Sequence, residues 1–302
     1  MSLVLTAIAD PDRSPLDSAV LDRLVAAVTA TNVALSPPQW LSENEAVDFD
    51  IGADDRGAIL QAAQTSVRGL AVDVAVQPKA NRRKRLLIAD MDSTIIQQEC
   101  IDELADAMGL RDTVSAITER AMRGEIAFDD ALRERAAMLA GLAADAMDAV
   151  YQERIKVTPG AATLVATMRA NGALTALVSG GFTFFTQRIR ARVGFDIDQA
   201  NELLLDDQGR LSGQVAAPIL GRAAKVDALK SLAQQHGVGL EEAMAVGDGA
   251  NDLAMIEAAG LGVAFHAKPT VAAQADVEIT HTNLTALLFL QGYKRADFVT
   301  PA

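Results

Sequence analysis

Four short apolar runs, each opening into a polar loop, constrain the fold of this 302-residue chain more than any other feature. They are Leu86–Ala89, Ala173–Val178, Ala243–Val246 and Leu261–Phe265. Each is short and lacks polar alternation, so each reads as a strand buried on both faces. Helical patterns separate them, and that alternation predicts an α/β fold around a parallel sheet. Aromatic residues make up only 4%, and Ala, Val and Leu dominate, as suits such a sheet and its covering helices. With 50% apolar residues the chain can bury a sizeable core and has room for a second, smaller domain.

In open α/β sheets ligands bind beyond the carboxyl ends of the strands, so the residues after these runs carry the chemistry. Leu86–Ala89 leads into Asp90-Met91-Asp92-Ser93-Thr94, with two carboxylates and two hydroxyls close together. Burying two acids side by side is costly unless a cation compensates. Taken alone, Asp92 or Ser93 would serve equally well as a helix N-cap. Ala243–Val246 leads into Gly247-Asp248-Gly249-Ala250-Asn251-Asp252. A helix starting near Asn251 would point Asp248 and Asp252 toward one spot. An ordinary strand–turn–helix junction has the same look, while a dinucleotide loop fits poorly because Asp252 stands in place of a third glycine. Ala173–Val178 ends in Ser179-Gly180-Gly181, a hydroxyl and amides suited to an anion or to a plain turn. Lys225 opens a helical pattern (Val226, Leu229, Leu232, Ala233) and alone reads as a surface lysine. Together the four segments supply the groups that phosphoryl transfer needs.

In this order the segments resemble the four motifs of the haloacid dehalogenase superfamily of phosphohydrolases. The Asp-x-Asp-x-Thr at Asp90, the strand-end Ser179, Lys225 and the Gly-Asp-Gly-x-Asn-Asp ending at Asp252 carry the likeness. Val178–Phe182, Ala267-Lys268-Pro269 and Glu99, nine residues past Asp90, bring it closest to the phosphoserine-hydrolysing members. The resemblance spans roughly residues 84 to 293. It implies hydrolysis of O-phospho-L-serine, the last step of serine biosynthesis, with Mg²⁺ and an aspartyl-phosphate intermediate. Asp90 would be the nucleophile and Asp92 the general acid and base. Asp90, the Asp92 backbone carbonyl and Asp248 would hold Mg²⁺. Ser179, Gly180, Lys225 and Asn251 would hold the phosphoryl oxygens, with Asp252 orienting Lys225 or the metal's surroundings and Thr94 shaping the loop. Glu99, Phe128 and Arg135 would contact the rest of the substrate. Two alternatives stay open: action on another small phosphorylated metabolite as phosphatase or phosphotransferase, and an amino-acid sensor on a phosphatase core.

From Glu99 to about Tyr151 the pattern is helical, with stripes at Ile101, Leu104, Ala105 and Met108, at Val114, Ile117 and Ala121, and at Leu132, Ala136 and Leu139. This block interrupts the strand order and predicts a helical cap at about 98–155 over the sheet edge. Phe128 and Arg135 lie seven apart and share a helix face. By themselves they read as cap core and surface cation. Gly194–Val215 reads as a hairpin or edge pair on the core, and the tail from Asn283 as a closing helix.

Residues 1–80 predict a small α+β domain of order β-α-β-α-β, followed by the main domain at 81–302. In the superfamily such an N-terminal domain is often of the amino-acid-binding ACT type, and a regulatory or dimerising role follows from that likeness. Gln77–Arg85 reads as a linker whose basic run is a solvated flank. The net charge of −13 argues against nucleic acid or an anionic membrane as partner. A lone Cys100, no signal-peptide pattern and no long apolar run predict a soluble cytoplasmic protein.

Overall fold

The computed structural model describes residues 2–52, 55–122 and 125–301. The first part runs β1 (Leu3–Ala9), α1 (Ser18–Thr29), β2 (Gln39–Ser42), β3 (Ala46–Ile51), α2 (Arg56–Ser66) and β4 (Val72–Pro78). These strands form an antiparallel sheet of order β2-β3-β1-β4. Strand β2 is the element that the sequence does not announce. It has four residues, follows Pro37-Pro38, buries only Leu41 and shifts register between Trp40 and Ser42. With it the order becomes β-α-β-β-α-β, the ferredoxin-like arrangement.

Helices α1 and α2 begin at Asp17 and Asp55, whose carboxylates accept from Val20 N and Ala58 N. Such caps contribute about 1 kcal/mol each. The two helices cover the sheet face that carries Leu3, Leu5, Ala7 and Ala9. The opposite face packs elsewhere: Ile8, Leu41, Ala46 and Ala75 belong to the same apolar core as the larger sheet.

The stretch expected to be a solvated linker is anchored. Gln77 and Lys84 are buried and donate to Leu290 O and Glu241 O. Arg82 pairs with Asp48 at 2.6 Å and also donates to Thr6 and to the Phe289 and Leu290 carbonyls. A buried carboxylate on one side and two carbonyl acceptors on the other replace the water that the guanidinium gives up.

The second part builds a six-stranded parallel sheet from β5 (Leu86–Ala89), β6 (Leu174–Phe182), β7 (Ile197–Asn201), β10 (Ala243–Gly247), β11 (Leu261–Phe265) and β12 (Val277–Ile279). Its order is β12-β11-β10-β5-β6-β7. The chain leaves β5 toward β6 on one side and returns to β10 on the other, so the topological switch point lies at the end of β5. Strand β6 runs on through Ser179-Gly180-Gly181 to Phe182 instead of stopping at Val178.

An antiparallel bridge, Ile96 to Val157, marks where the chain departs and returns around four helices. These are α3 (Cys100–Ala107), α4 (Arg111–Met122), α5 (Phe128–Met138) and α6 (Ala144–Arg154). Strands β8 (Leu203–Leu205) and β9 (Leu211–Val215) form a separate hairpin that bonds to this cap, not an edge of the core sheet. Leu211 donates to Leu142 O and accepts from Gly141 N. Gly213, at φ +79°, lets the hairpin approach α5, because a Cβ there would lie 3.1 Å from the Ala137 Cα. Helices α7 (Ala161–Ala170), α8 (Thr183–Val193), α9 (Arg222–Gln235), α10 (Leu253–Ala258) and α11 (Pro269–Ala272) cover the sheet, and the closing α12 is short, Ala286–Leu290.

Candidate active site

Three neighbouring strand ends meet at the switch point. Asp90 extends from β5, and its backbone N–H still donates to Val246 O of β10 at 3.0 Å. The chain then turns tightly, with Ser93 in the left-handed region at φ 55°. That turn aims Asp90 and Asp92 at different partners. Asp90 Oδ1 accepts from Met91 N and lies 2.6 Å from Lys225 Nζ. Asp92 accepts from Cys100 N at 3.0 Å and from the Ser179 hydroxyl at 3.3 Å. Gly181 has to be glycine, because a Cβ there would fall 2.7 Å from Asp92 Oδ2.

Lys225 arrives from the first turn of α9 and is 1% exposed, so it is no surface lysine. Its ammonium donates to Asp252 Oδ1 at 2.6 Å. Asp252 in turn accepts from Gly249 N, and Asn251 Nδ2 stands 3.4 Å from its Oδ1. The helix after this loop starts at Leu253, two residues later than the sequence suggests, because Asp252 turns back to cap the loop. Asp248 accepts from the Thr94 hydroxyl at 3.2 Å, which joins the β5 and β10 loops.

Asp90, Asp248 and Asp252 bring carboxylate oxygens within 4.8 Å of one another. Burial and then mutual repulsion raise the Asp90 pKa well above its ordinary value and push Asp248 up to about 6. Burial opposes the charge on Lys225, yet Asp252 and Asp90 outweigh it and hold the ammonium firmly protonated. One lysine cannot neutralise three carboxylates. An oxygen-only, over-negative cluster of this kind fits a hard divalent cation. The carboxylate of Asp92 points away from it, toward Cys100 and Ser179.

The cap supplies the opposite wall. Glu99 Oε1 accepts from the Ser93 hydroxyl at 2.6 Å. Its residue is open to solvent at the cleft mouth, yet lost hydration and then Asp92 push its pKa up to about 7. Arg135, on α5, donates to Ala131 O and Thr118 Oγ1, and its charge acts on Asp102, Glu99 and Asp92. Phe128, the first residue of α5, lies over Gly180, where a Cβ would come within 3.1 Å of its ring. On the core side beneath Phe128 lie Asn201, bonded to Gly180 O, and Gly221, and no pattern in the sequence marks either.

A family model described as haloacid dehalogenase-like hydrolase matches residues 87–257. The chain is 42% identical over 240 residues to a phosphoserine phosphatase of Archaeoglobus fulgidus, covering 79% of this chain and 69% of that one. A HAD family hydrolase from Salmonella enterica serovar Typhi superposes with a TM-score of 0.85 at 29% identity, over 96% of this chain and 98% of the other. A structure described as a phospho-aspartyl intermediate analogue of phosphoserine phosphatase superposes with a TM-score of 0.64 at 37% identity, over 68% of this chain and 98% of its own. The matched region takes in the Asp90, Ser179, Lys225 and Asp248 loops, and the chain belongs to the haloacid dehalogenase-like hydrolase family, among its phosphoserine phosphatases.

Proposed function

We propose that this chain hydrolyses O-phospho-L-serine to serine and phosphate, with Asp90 as nucleophile and Mg²⁺ as cofactor. One observation supports the substrate: Glu99, bonded to the Ser93 hydroxyl beside Asp92, and Arg135, whose charge interacts with Glu99 and Asp92, set a carboxylate and a guanidinium close to the acid cluster. A phosphomonoester that also carries an ammonium and a carboxylate complements all of them.

In the first step an Asp90 oxygen attacks phosphorus in line, and the bond from phosphorus to the serine oxygen breaks. Asp92 gives its proton to that departing oxygen. Burial raises the Asp92 pKa against the pull of its Cys100 and Ser179 donors, so it suits carrying a proton. The Lys225 ammonium at 2.6 Å favours the ionised form of its neighbour Asp90. Burial and Asp252 raise the Asp90 pKa as well, so its ionisation would rest on Lys225 together with the cation assigned to it. In the second step Asp92 takes a proton from water, the water oxygen attacks the same phosphorus, and the bond to Asp90 breaks.

Asp90, Asp248 and the Asp92 backbone carbonyl are the groups we assign to the cation, with Thr94 fixing Asp248. Bound Mg²⁺ would neutralise phosphoryl charge and reduce its repulsion from Asp90. Ser179, the Gly180 amide, Lys225 and Asn251 are assigned to the phosphoryl oxygens, and Asp252 to holding Lys225. Phe128 covers the short carbon backbone and limits water.

The same reading treats residues 1–80 as an ACT-like domain capable of pairing two chains, and 81–302 as the phosphatase domain with its cap at about 98–155. The antiparallel β-α-β-β-α-β order supports the first part. A single buried cysteine accords with a cytoplasmic setting. Among the described residues no helix is long and apolar enough to cross a membrane.

A panel of phosphorylated amino acids, sugars and aryl phosphates, each with and without Mg²⁺, tests the proposal by released phosphate. Phosphoserine should be turned over fastest and only with the metal. A sugar phosphate preferred over phosphoserine would overturn the substrate.

A further inference from the structure

Asn201 ends β7 and is 3% exposed, and its amide is fully engaged. Its Nδ2 donates to Gly180 O at 2.9 Å and to Leu220 O at 3.1 Å. Its Oδ1 accepts from Leu220 N at 2.7 Å. The network fixes the orientation of the amide, since a flipped group would set oxygen against two carbonyls. One side chain therefore ties the loop holding Ser179 to the segment that leads into α9 and Lys225.

Both tied segments present a glycine to the same cap residue. A Cβ on Gly180 would stand 3.1 Å from Phe128 Cζ, and one on Gly221 would stand 3.2 Å from Phe128 Cδ1. The ring rests on a floor made of two bare backbones, and Asn201 sets the spacing between them. We propose that Asn201 is a positioning residue that seats Phe128, so that the cap closes at the height the phosphoryl-holding loop requires. The inference rests on the phosphatase reading and adds a residue that acts through Phe128, not on the phosphorus.

The test is a double-mutant cycle in kcat/KM for phosphoserine, using Asn201→Asp, Phe128→Ala and the pair. Asn201→Asp keeps shape and the acceptor for Leu220 N–H, but turns a second oxygen toward two carbonyls. Alone it should lower kcat/KM by about ten- to a hundredfold, the scale of a misplacement near 1 Å. In the Phe128→Ala background most of that factor should vanish. If the factor is the same in both backgrounds to within about twofold, the two sites are independent and the proposal is overturned. Asn201→Ala gives a second cycle in case the aspartate variant does not fold, because it cuts the link from Gly180 O to Leu220 without adding a charge. The same loss of effect without Phe128 is expected there, and additivity would again overturn the seat. An unaltered chain that released no phosphate from phosphoserine would sink the substrate assignment instead. The cycle is then run on the monoester it does cleave, and its coupling still decides the role of Asn201.

Discussion

Lys225 and Asp252, 27 positions apart in sequence, meet at 2.6 Å with both side chains essentially excluded from water. The contact fixes the cation beside Asp90 as well, also at 2.6 Å. Removing the ammonium while keeping the stem, as in Lys225→Met, takes away the buried counter-charge of Asp90 and Asp252. Breaking a buried pair in this way costs about 3–5 kcal/mol. The metal-free variant should therefore melt at a lower temperature than the parent, and added Mg²⁺ should raise its Tm more than the parent's. Thermal melts of both proteins with and without Mg²⁺ check this.

Asp90→Asn keeps the volume and the hydrogen bond from Met91 N but removes the nucleophilic carboxylate. Phosphate release should fall on the order of 10⁴-fold or more, with far-UV circular dichroism unchanged. Mass spectrometry of rapidly quenched parent protein should show one added phosphoryl group, and the variant none.

Glu99 sits at about 7 because it loses hydration beside Asp92. Only its carboxylate can pair with a substrate ammonium, so kcat/KM for phosphoserine should rise with pH as Glu99 ionises. The free-enzyme profile reports that ionisation. Asp248, at about 6, gives a separate effect: below that pH its protonation should weaken Mg²⁺ binding. Glu99→Gln should remove the upper limb and leave the metal dependence intact. Profiles at saturating and limiting Mg²⁺ separate the two groups.

Arg135 donates to Ala131 O and Thr118 Oγ1, and its charge interacts with Glu99 and Asp92. A charge-assisted bond to the substrate carboxylate contributes about 1.5–3 kcal/mol, so Arg135→Ala should lower kcat/KM for phosphoserine roughly ten- to two-hundredfold. An aryl phosphate, which lacks that carboxylate, should lose far less. Equal losses on both substrates would assign Arg135 to cap stability.

The parallel sheet is legible in the sequence because β5, β10 and β11 are uninterrupted apolar runs that suit nothing but a doubly covered strand. The loops that meet at its edge are legible for the same reason, since each follows such a run. Four features are not. Strand β2 has one buried side chain and no alternation to detect. The burial of Lys225 depends on two carboxylates that reach it only after folding. Asn201 and Gly221 act through contacts across separate elements, and an isolated Asn or Gly carries no sign of that. The basic segment near Arg82 reads as solvated because its carboxylate partner, Asp48, lies 34 positions away on another strand.

That last pair bears on how the two parts unfold. Arg82 bridges Asp48 to the Phe289 and Leu290 carbonyls, and on the same face Asp73 accepts from the Thr280, His281 and Thr282 amides. Both contacts lie beside Ile8, Ala46 and Ala75, which share the larger core. The N-terminal sheet should therefore melt together with the catalytic sheet, in one transition and not two. Arg82→Ala leaves the buried Asp48 without its counter-charge in the junction and should cost about 3–5 kcal/mol. Its melt should split into two steps, or shift down as one, while kcat for the folded protein at 25 °C stays near the parent's. Differential scanning calorimetry read alongside activity distinguishes this outcome from an N-terminal domain that hangs freely, for which the Arg82 variant would melt like the parent.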